Sequence, residues 1–292
     1  MSKINLSDLN LLLTDKIMID IYNSSIINLS NCDIIDYNDI FSFNLHTNPK
    51  KILNLSSKLK DHFYLIAGSS NFHHLDISNL IRLKNKLKKK MQLILFDSHM
   101  DALRYIPESN FIHCGNWVSY LYNDKIINKV VTIGTGDWRK NKGFDYSLIN
   151  NNDLLYHPDC NKPLKIEFLD PNIPTYISID TDILDCPSDW GIGRCKFDEV
   201  LTSPIWDQLS NFNIVGATIM GHVTDNRKTL DLVKSFIQTP SKSNKYYRKE
   251  ISAFFKNSIK LKLFASLTAW SLSIDKQFEI ISKFYQRVQS IR

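Results

Sequence analysis

Long apolar runs are missing from this chain of 292 residues: nothing in it approaches the roughly 20 residues that a membrane-spanning helix needs. The opening residues MSKINLSDLNLLLTD also lack the basic, then apolar, then small-residue order of a secretion signal, so the expected location is cytoplasmic, with no membrane partner. Cysteine is scarce and odd in number. Cys32, Cys114, Cys160, Cys186 and Cys195 form no CxxC pair, which argues against a disulfide framework and against a thiolate zinc site. No linker rich in Gly, Pro or Ser divides the chain and no segment repeats, so a single α/β domain over residues 1–292 is expected. Nucleic-acid-binding motifs are absent, and no nucleic-acid partner is expected. The net charge of +6 gathers in RLKNKLKKKM (82–91) and SKSNKYYRKEISAFFKNSIKLK (241–262). Both runs read as solvated basic surface, with an acidic peptide as the alternative partner for the second.

What the chain does have is a series of short β-branched and aromatic runs. KIMIDIY (16–22), HFYLIAG (62–68), MQLILFD (91–97), KVVTIG (129–134), TYISID (175–180) and NIVGATIM (213–220) read as buried strands. Helical spacing separates several of them, as in DISNLIRLKNKLKKK (76–90) and SPIWDQLS (203–210). That alternation predicts a mainly parallel sheet with helices on its faces. From about residue 245, EISAFFKNSIKLKLFASLTAW and SIDKQFEIISKFYQRV read as two amphipathic helices closing the fold. VTIGTGDW (131–138) reads as a strand followed by a turn.

The chemistry concentrates at two strand ends. LILFDSHMDA (93–102) delivers Asp97, His99 and Asp101 in alternation, and SIDTDILD (178–185) repeats the spacing with Asp180 and Asp182. In extended geometry such residues point to one side, so five donors can converge without special loops. Ligands of open parallel sheets gather beyond the carboxyl ends of the strands, which puts both motifs on one rim if the strands are neighbours. A lone DxD pair more often caps a turn. Four carboxylates in one small site, however, repel one another and lose hydration unless cations intervene. Oxygen and imidazole donors without thiolate suit manganese, with iron, cobalt or nickel as substitutes, and the carboxylate count suits two ions.

FDSHMD resembles the DAHxD motif of the arginases and agmatinases, the ureohydrolase family, and SIDTDILD resembles their SxDxDxxDP motif, with Cys186 where the family has proline. In NFHHLD, His74 stands ahead of Asp97 at the interval of the family's first histidine ligand, and NFIHCGNWVS resembles the segment LHGQPVS. The resemblance covers about residues 60–230. It implies an arginase-like three-layer α-β-α fold and two Mn2+ per chain. One ion would be held by His74, Asp97, Asp101 and Asp180, the other by Asp97, His99, Asp180 and Asp182. It further implies that Asp101 orients the attacking hydroxide and protonates the leaving amine, while His113 relays protons with solvent.

Two departures bear on substrate. Gly221 stands where the family's guanidinium-binding glutamate is expected, and Asp225, with His222 beside it, is the candidate replacement. Ala102, Leu103 and Arg104 follow the first motif where free-arginine enzymes have a polar anchor for the α-carboxylate. FDSHxD, the doubled His73-His74 and the pair Asn116-Trp117 also resemble a divergent branch that includes peptide arginases, and Asn116 joins Asp225 and His222 as a candidate substrate contact. The expected activity is therefore release of urea from peptidyl arginine, leaving ornithine. A free small guanidine as substrate, a non-catalytic arginase-like metal- or arginine-binding protein, and a one-zinc deacetylase of similar fold stay open, as does assembly into a homo-oligomer.

Overall fold

A computed structural model of the chain describes residues 4–5, 7–13, 27–28, 32–36, 46–66, 70–109, 111–135, 144–184, 195–220 and 274–292. Eight strands build its main sheet: Leu9–Leu13 (β1), Cys32–Asp36 (β2), Tyr64–Ile66 (β3), Met91–Phe96 (β4), Ile127–Ile133 (β5), Leu154–His157 (β6), Thr175–Asp180 (β7) and Ile214–Met220 (β8). Their order across the sheet is β6-β5-β4-β7-β8-β3-β1-β2, and every adjacent pair is parallel. A parallel sheet is covered on both faces, so its middle strands are buried along their length instead of alternating. β4 and β7 are buried throughout and mostly apolar, with Gln92, Thr175, Ser178 and Asp180 as their buried polar residues.

The described helices are Pro49–Lys58 (α1), Asp76–Leu87 (α2), Trp117–Asn123 (α3), Tyr146–Asn150 (α4), Phe197–Leu201 (α5), Pro204–Leu209 (α6) and Ile274–Ser290 (α7). Successive residues of β4 divide between two cores. Leu93 and Leu95 pack with Ile77, Leu80 and Ile81 of α2 and Trp117, Val118 and Leu121 of α3. Ile94 and Phe96 pack with Val200 of α5, Ile205, Trp206 and Leu209 of α6, and Phe284 and Val288 of α7. This is a three-layer α-β-α arrangement, and each large side chain so buried contributes roughly 1.5–3 kcal/mol. The Phe96 ring, last of β4, stacks on Trp206 at 4.7 Å and fixes the strand end from which Asp97 projects.

Five of the six expected strands lie on observed ones, while KIMIDIY falls outside the described residues. β1, β2 and β6, at the margins of the sheet, were not among the expected strands. The helix expected over 76–90 stops at Leu87 because Lys88 turns left-handed (φ 54°) and its N–H closes on the Lys84 carbonyl. Lys86, Lys88, Lys89 and Lys90 are exposed, as read, and Lys86 pairs with Asp61. The basic run 241–262 and the first of the two expected tail helices lie outside the described residues; the second is α7. No disulfide joins the described cysteines, and no described helix is long and apolar enough to cross a membrane.

Gly134 follows β5 with φ +78°, in the turn read from the sequence. A Cβ there would come within 2.5 Å of Ile183 Cδ1, next to Asp182. Left-handed strain and overpacking act together, so Gly134→Ala is expected to destabilise the fold by about 2–4 kcal/mol, read by denaturant unfolding. An unchanged midpoint would show that the Ile183 contact yields freely.

Candidate metal centre

β4 and β7 are neighbours with Phe96 level with Ile179, so Asp97 and Asp180 leave the sheet side by side. This one register brings together two motifs that are far apart in the chain. Beyond the strand ends the backbone does not stay extended, which corrects the expectation of simple alternation. Asp97 Oδ1 accepts from the N–H of His99 at 2.6 Å, and Asp180 Oδ1 accepts from the N–H of Asp182 at 2.9 Å. Each aspartate caps its own turn and folds the residue two further on back beside itself. Asp101 completes the bend with a left-handed backbone, φ 48°. The turn-capping role that a DxD pair ordinarily plays is thus how the cluster is assembled.

Ligand atoms of Asp97, His99 and Asp182 lie within 4.8 Å of one another, and so do those of His73, Asp97 and Asp180. Asp97 belongs to both groups. His99 Nδ1 is 2.9 Å from Asp182 Oδ2 and 3.4 Å from Asp97 Oδ1. The histidine facing the other group is His73, whose Nδ1 is 3.1 Å from Asp101, 3.2 Å from Asp97 and 3.4 Å from Asp180. His74, the residue the sequence reading selected, points away to Thr47 Oγ1 at 2.8 Å. Both lie in the 3-10 turn Ser70–Leu75, where adjacent side chains diverge, so an interval counted along the chain cannot tell one from the other.

Hydroxyls and an indole hold the donors in place. Ser70 donates to Asp180 Oδ1 at 2.6 Å, Trp117 Nε1 to Asp101 Oδ2 at 2.6 Å, and Thr135 to the carbonyl of Asp97 at 2.8 Å. Ser70 and Thr135 carry no motif that would have revealed them. The other candidates stand further out. His113 accepts from the N–H of Gly115 through Nδ1 at 3.1 Å, and Gly115 lines the small cavity that Asp97, His99, Asp101, Asp180 and Asp182 surround. Asn116 is buried, accepting from the N–H of His113 at 2.8 Å and donating to the carbonyl of Phe111 at 3.4 Å. Its amide closes a turn of the chain's own backbone. His222 and Asp225 lie outside the described residues.

The electrostatics are those of an acidic cluster deprived of water. Burial, reinforced by the charges of Asp182 and Asp101, pushes Asp97 up to about 7. Burial, reinforced by the charges of Asp182 and Asp97, raises Asp180 well above the carboxylate range. Burial opposes ionisation of Asp182 too, but His99 and the N–H of Ser98 outweigh it and hold that carboxylate low. His73 and His99 are driven up against the desolvation that disfavours their charge, because carboxylates surround both rings. Asp97 Oδ2, Asp182 Oδ2 and His73 Nδ1 are buried without a hydrogen bond. Such atoms in two ligand groups that share Asp97 and contain no thiolate fit divalent cations.

A pH dependence follows. For Asp97, Asp180 and both histidines the folded pKa exceeds the unfolded one, so the folded chain binds more protons and loses stability as pH rises through those values. Asp182 acts in the opposite sense, but below the carboxylate range. Chelator-treated protein is therefore expected to melt lower at pH 8 than at pH 6, and added Mn2+ to raise the melting temperature more at pH 8, since ligands must be deprotonated. Equal Mn2+ stabilisation at both values would contradict the proton competition.

The chain also matches known proteins. A model of the arginase family matches residues 16–196, a span that includes all six clustered side chains. An uncharacterized protein of Thermotoga maritima is 30% identical over 175 residues, covering 59% of this chain and 64% of that one, so the match spans less than two thirds of the relative's length. Similar solved structures include arginase from Bacillus subtilis (14% identity, TM-score 0.49, 82% of this chain and 99% of that one) and arginase from Medicago truncatula (13%, 0.49, 80% and 85%). A hypothetical agmatinase from Burkholderia thailandensis is 14% identical with a TM-score of 0.47, covering 76% and 77%. With the family model spanning well over half of the sequence and both aspartate motifs, the chain belongs to the arginase family.

Proposed function

We propose that this protein is a two-metal hydrolase that releases urea from a guanidinium, and that its substrate is arginine within a peptide. The observation that carries the reading is the convergence of His73, Asp97, His99, Asp101, Asp180 and Asp182 on one buried point. His73, Asp97, Asp101 and Asp180 would hold one ion and Asp97, His99 and Asp182 the other. Manganese is the choice that the oxygen and imidazole donors favour. When bound, such a pair supplies Lewis acidity and a strong nucleophile drawn from water at neutral pH.

The chain's own residues do the rest. Asp101, held through Oδ2 by the Trp117 indole on a left-handed backbone, lines the cavity, where it would orient the nucleophile, take its proton and hand that proton to the leaving amine. The His113 ring lies against Gly115 of the cavity wall and would pass to solvent the separate proton released when the attacking water ionises. Asp225, with His222 beside it, is assigned to the guanidinium, because a planar cation needs a carboxylate to orient it and offset its lost hydration. Asn116 is assigned to holding the His113 turn.

Substrate class rests on the wall next to the metal cavity. A second cavity shares His99, Asp101 and Gly115 with the first and is otherwise lined by Met100, Ala102, Leu103 and Phe144. Among the described residues that lining suits a hydrocarbon chain and includes no lysine or arginine for an α-carboxylate. It favours an arginine whose α-groups are already in peptide bonds.

The test is incubation of the Mn2+-loaded protein with an arginyl peptide, free arginine and agmatine, followed by mass spectrometry and a urea assay. The peptide is expected to lose CH2N2 while urea accumulates, and Asp182→Ala is expected to slow this by at least about 10³-fold through loss of a metal ligand. Urea from free arginine or agmatine alone would reassign the substrate. A metal-loaded protein that yields urea from none of them would establish the non-catalytic reading.

A further inference from the structure

Two of the clustered donors, His73 and Asp101, lie against one side chain that cannot itself bind a metal. Trp117, the first residue of α3, is fully buried. Its Nε1 donates to Asp101 Oδ2 at 2.6 Å, and its ring meets the His73 ring with centroids 4.7 Å apart and planes at 45°. The triangle closes between the donors themselves, since the same Asp101 oxygen stands 3.1 Å from His73 Nδ1. The three residues come from three segments: the 3-10 turn Ser70–Leu75, the bend after β4, and α3. α3 is held independently of the cluster, because Trp117, Val118 and Leu121 pack in one core with Leu93 and Leu95 of β4 and Ile77 and Leu80 of α2. The Val118 N–H also donates to the Asp101 carbonyl at 3.2 Å. Asp101 is thus gripped by α3 at both its backbone and its carboxylate, in a left-handed conformation (φ 48°) that L-residues seldom take.

We infer that Trp117 is a positioning residue: its indole fixes the Asp101 carboxylate and the His73 ring relative to each other, and so sets how tightly the position assigned to His73, Asp97, Asp101 and Asp180 holds its ion. An indole N–H can only donate and does not titrate, so the direction of its bond to Asp101 is settled by chemistry alone. The bond also restrains the carboxylate about its own side-chain bonds before any ion arrives. An ion entering between Asp101 and His73 then meets donors already ordered, and less of its binding free energy goes into immobilising them. On the other donor the indole acts by contact, closing one side of the His73 ring in a turn whose next residue, His74, points away to Thr47. Filling space does not require the N–H: a phenylalanine or leucine packs in a core without a polar atom that must find a partner.

The inference rests on the two-metal reading proposed above, and the experiment separates the two. Full-length wild-type protein, Trp117→Phe, Asp101→Ala and the double variant are titrated with Mn2+, the free ion being followed by its electron paramagnetic resonance signal and each fold checked by circular dichroism. Wild type is expected to take up two Mn2+. Trp117→Phe keeps a ring beside His73 and removes the N–H; it should weaken one position by about 10–100-fold and leave the other unchanged. Because the N–H acts through Asp101, the double variant should be no weaker than Asp101→Ala alone. Saturated with Mn2+, Trp117→Phe should convert the arginyl peptide with a lower kcat and an unchanged KM, since Asp101 meets the reacting atoms and not the rest of the substrate. Wild-type Mn2+ affinity in folded Trp117→Phe, losses that add in the double variant, or a raised KM at unchanged kcat would each overturn the inference and leave the metal centre standing. If Trp117→Phe does not fold, replacing Trp117 by benzothienylalanine, which keeps the bicyclic outline and lacks the N–H, decides by the same outcomes. Wild type that binds two Mn2+ but releases no urea fails the enzyme reading only, and the Mn2+ titration still decides here. Wild type that takes up no Mn2+ overturns both.

Discussion

Repulsion among four carboxylates withdrawn from water is the constraint around which this protein is arranged. Asp97, Asp101, Asp180 and Asp182 are brought close because β4 and β7 are neighbours in register, and that adjacency is fixed by apolar side chains deep in the sheet. The packing that stabilises the fold therefore imposes a local electrostatic penalty at the strand ends. Two histidines, the protonation of Asp97 near neutral pH and the capped turns offset part of it. Divalent cations would offset it fully, and the same concentration of charge that opposes folding of the bare chain is what would bind them.

The cluster keeps its shape because its supports are rigid. Asp97 and Asp180 sit at the ends of strands buried along their whole length, and the Phe96 ring stacked on Trp206 anchors one of those ends. The turns beyond are held by side-chain acceptors and hydroxyls, not by regular secondary structure. Gly134 admits Ile183 to a place that any side chain would block, and Asp101 adopts a backbone conformation that L-residues seldom take. Local strain of this kind persists only where the surroundings over-determine it.

Legibility in the sequence follows burial. β4, β5, β7 and β8 were readable because strands covered on both faces appear as short runs rich in β-branched, aliphatic and aromatic residues. β1, β2 and β6 lie toward the margins, where sequence pattern is weak and pairing with a neighbour decides. α1 and α3 were missed for a similar reason: each acquires its helical role from the core it covers. At the site, five of the six clustered side chains were found from spacing, and the sixth was displaced by one residue. Ser70 and Thr135 were given no role, since a serine or a threonine has many ordinary uses and only its partner across the fold gives it one.

The sequence by itself determined the donor set, the absence of a thiolate pair and the two strand ends that carry the aspartates, because local alternation and composition are properties of neighbours along the chain. Tertiary structure decided which histidine faces the cluster and that the aspartates converge through capped turns instead of extended backbone. These depend on strand register and on the direction a side chain takes out of a tight turn. Both are set by contacts between segments far apart in the chain, which no local pattern encodes.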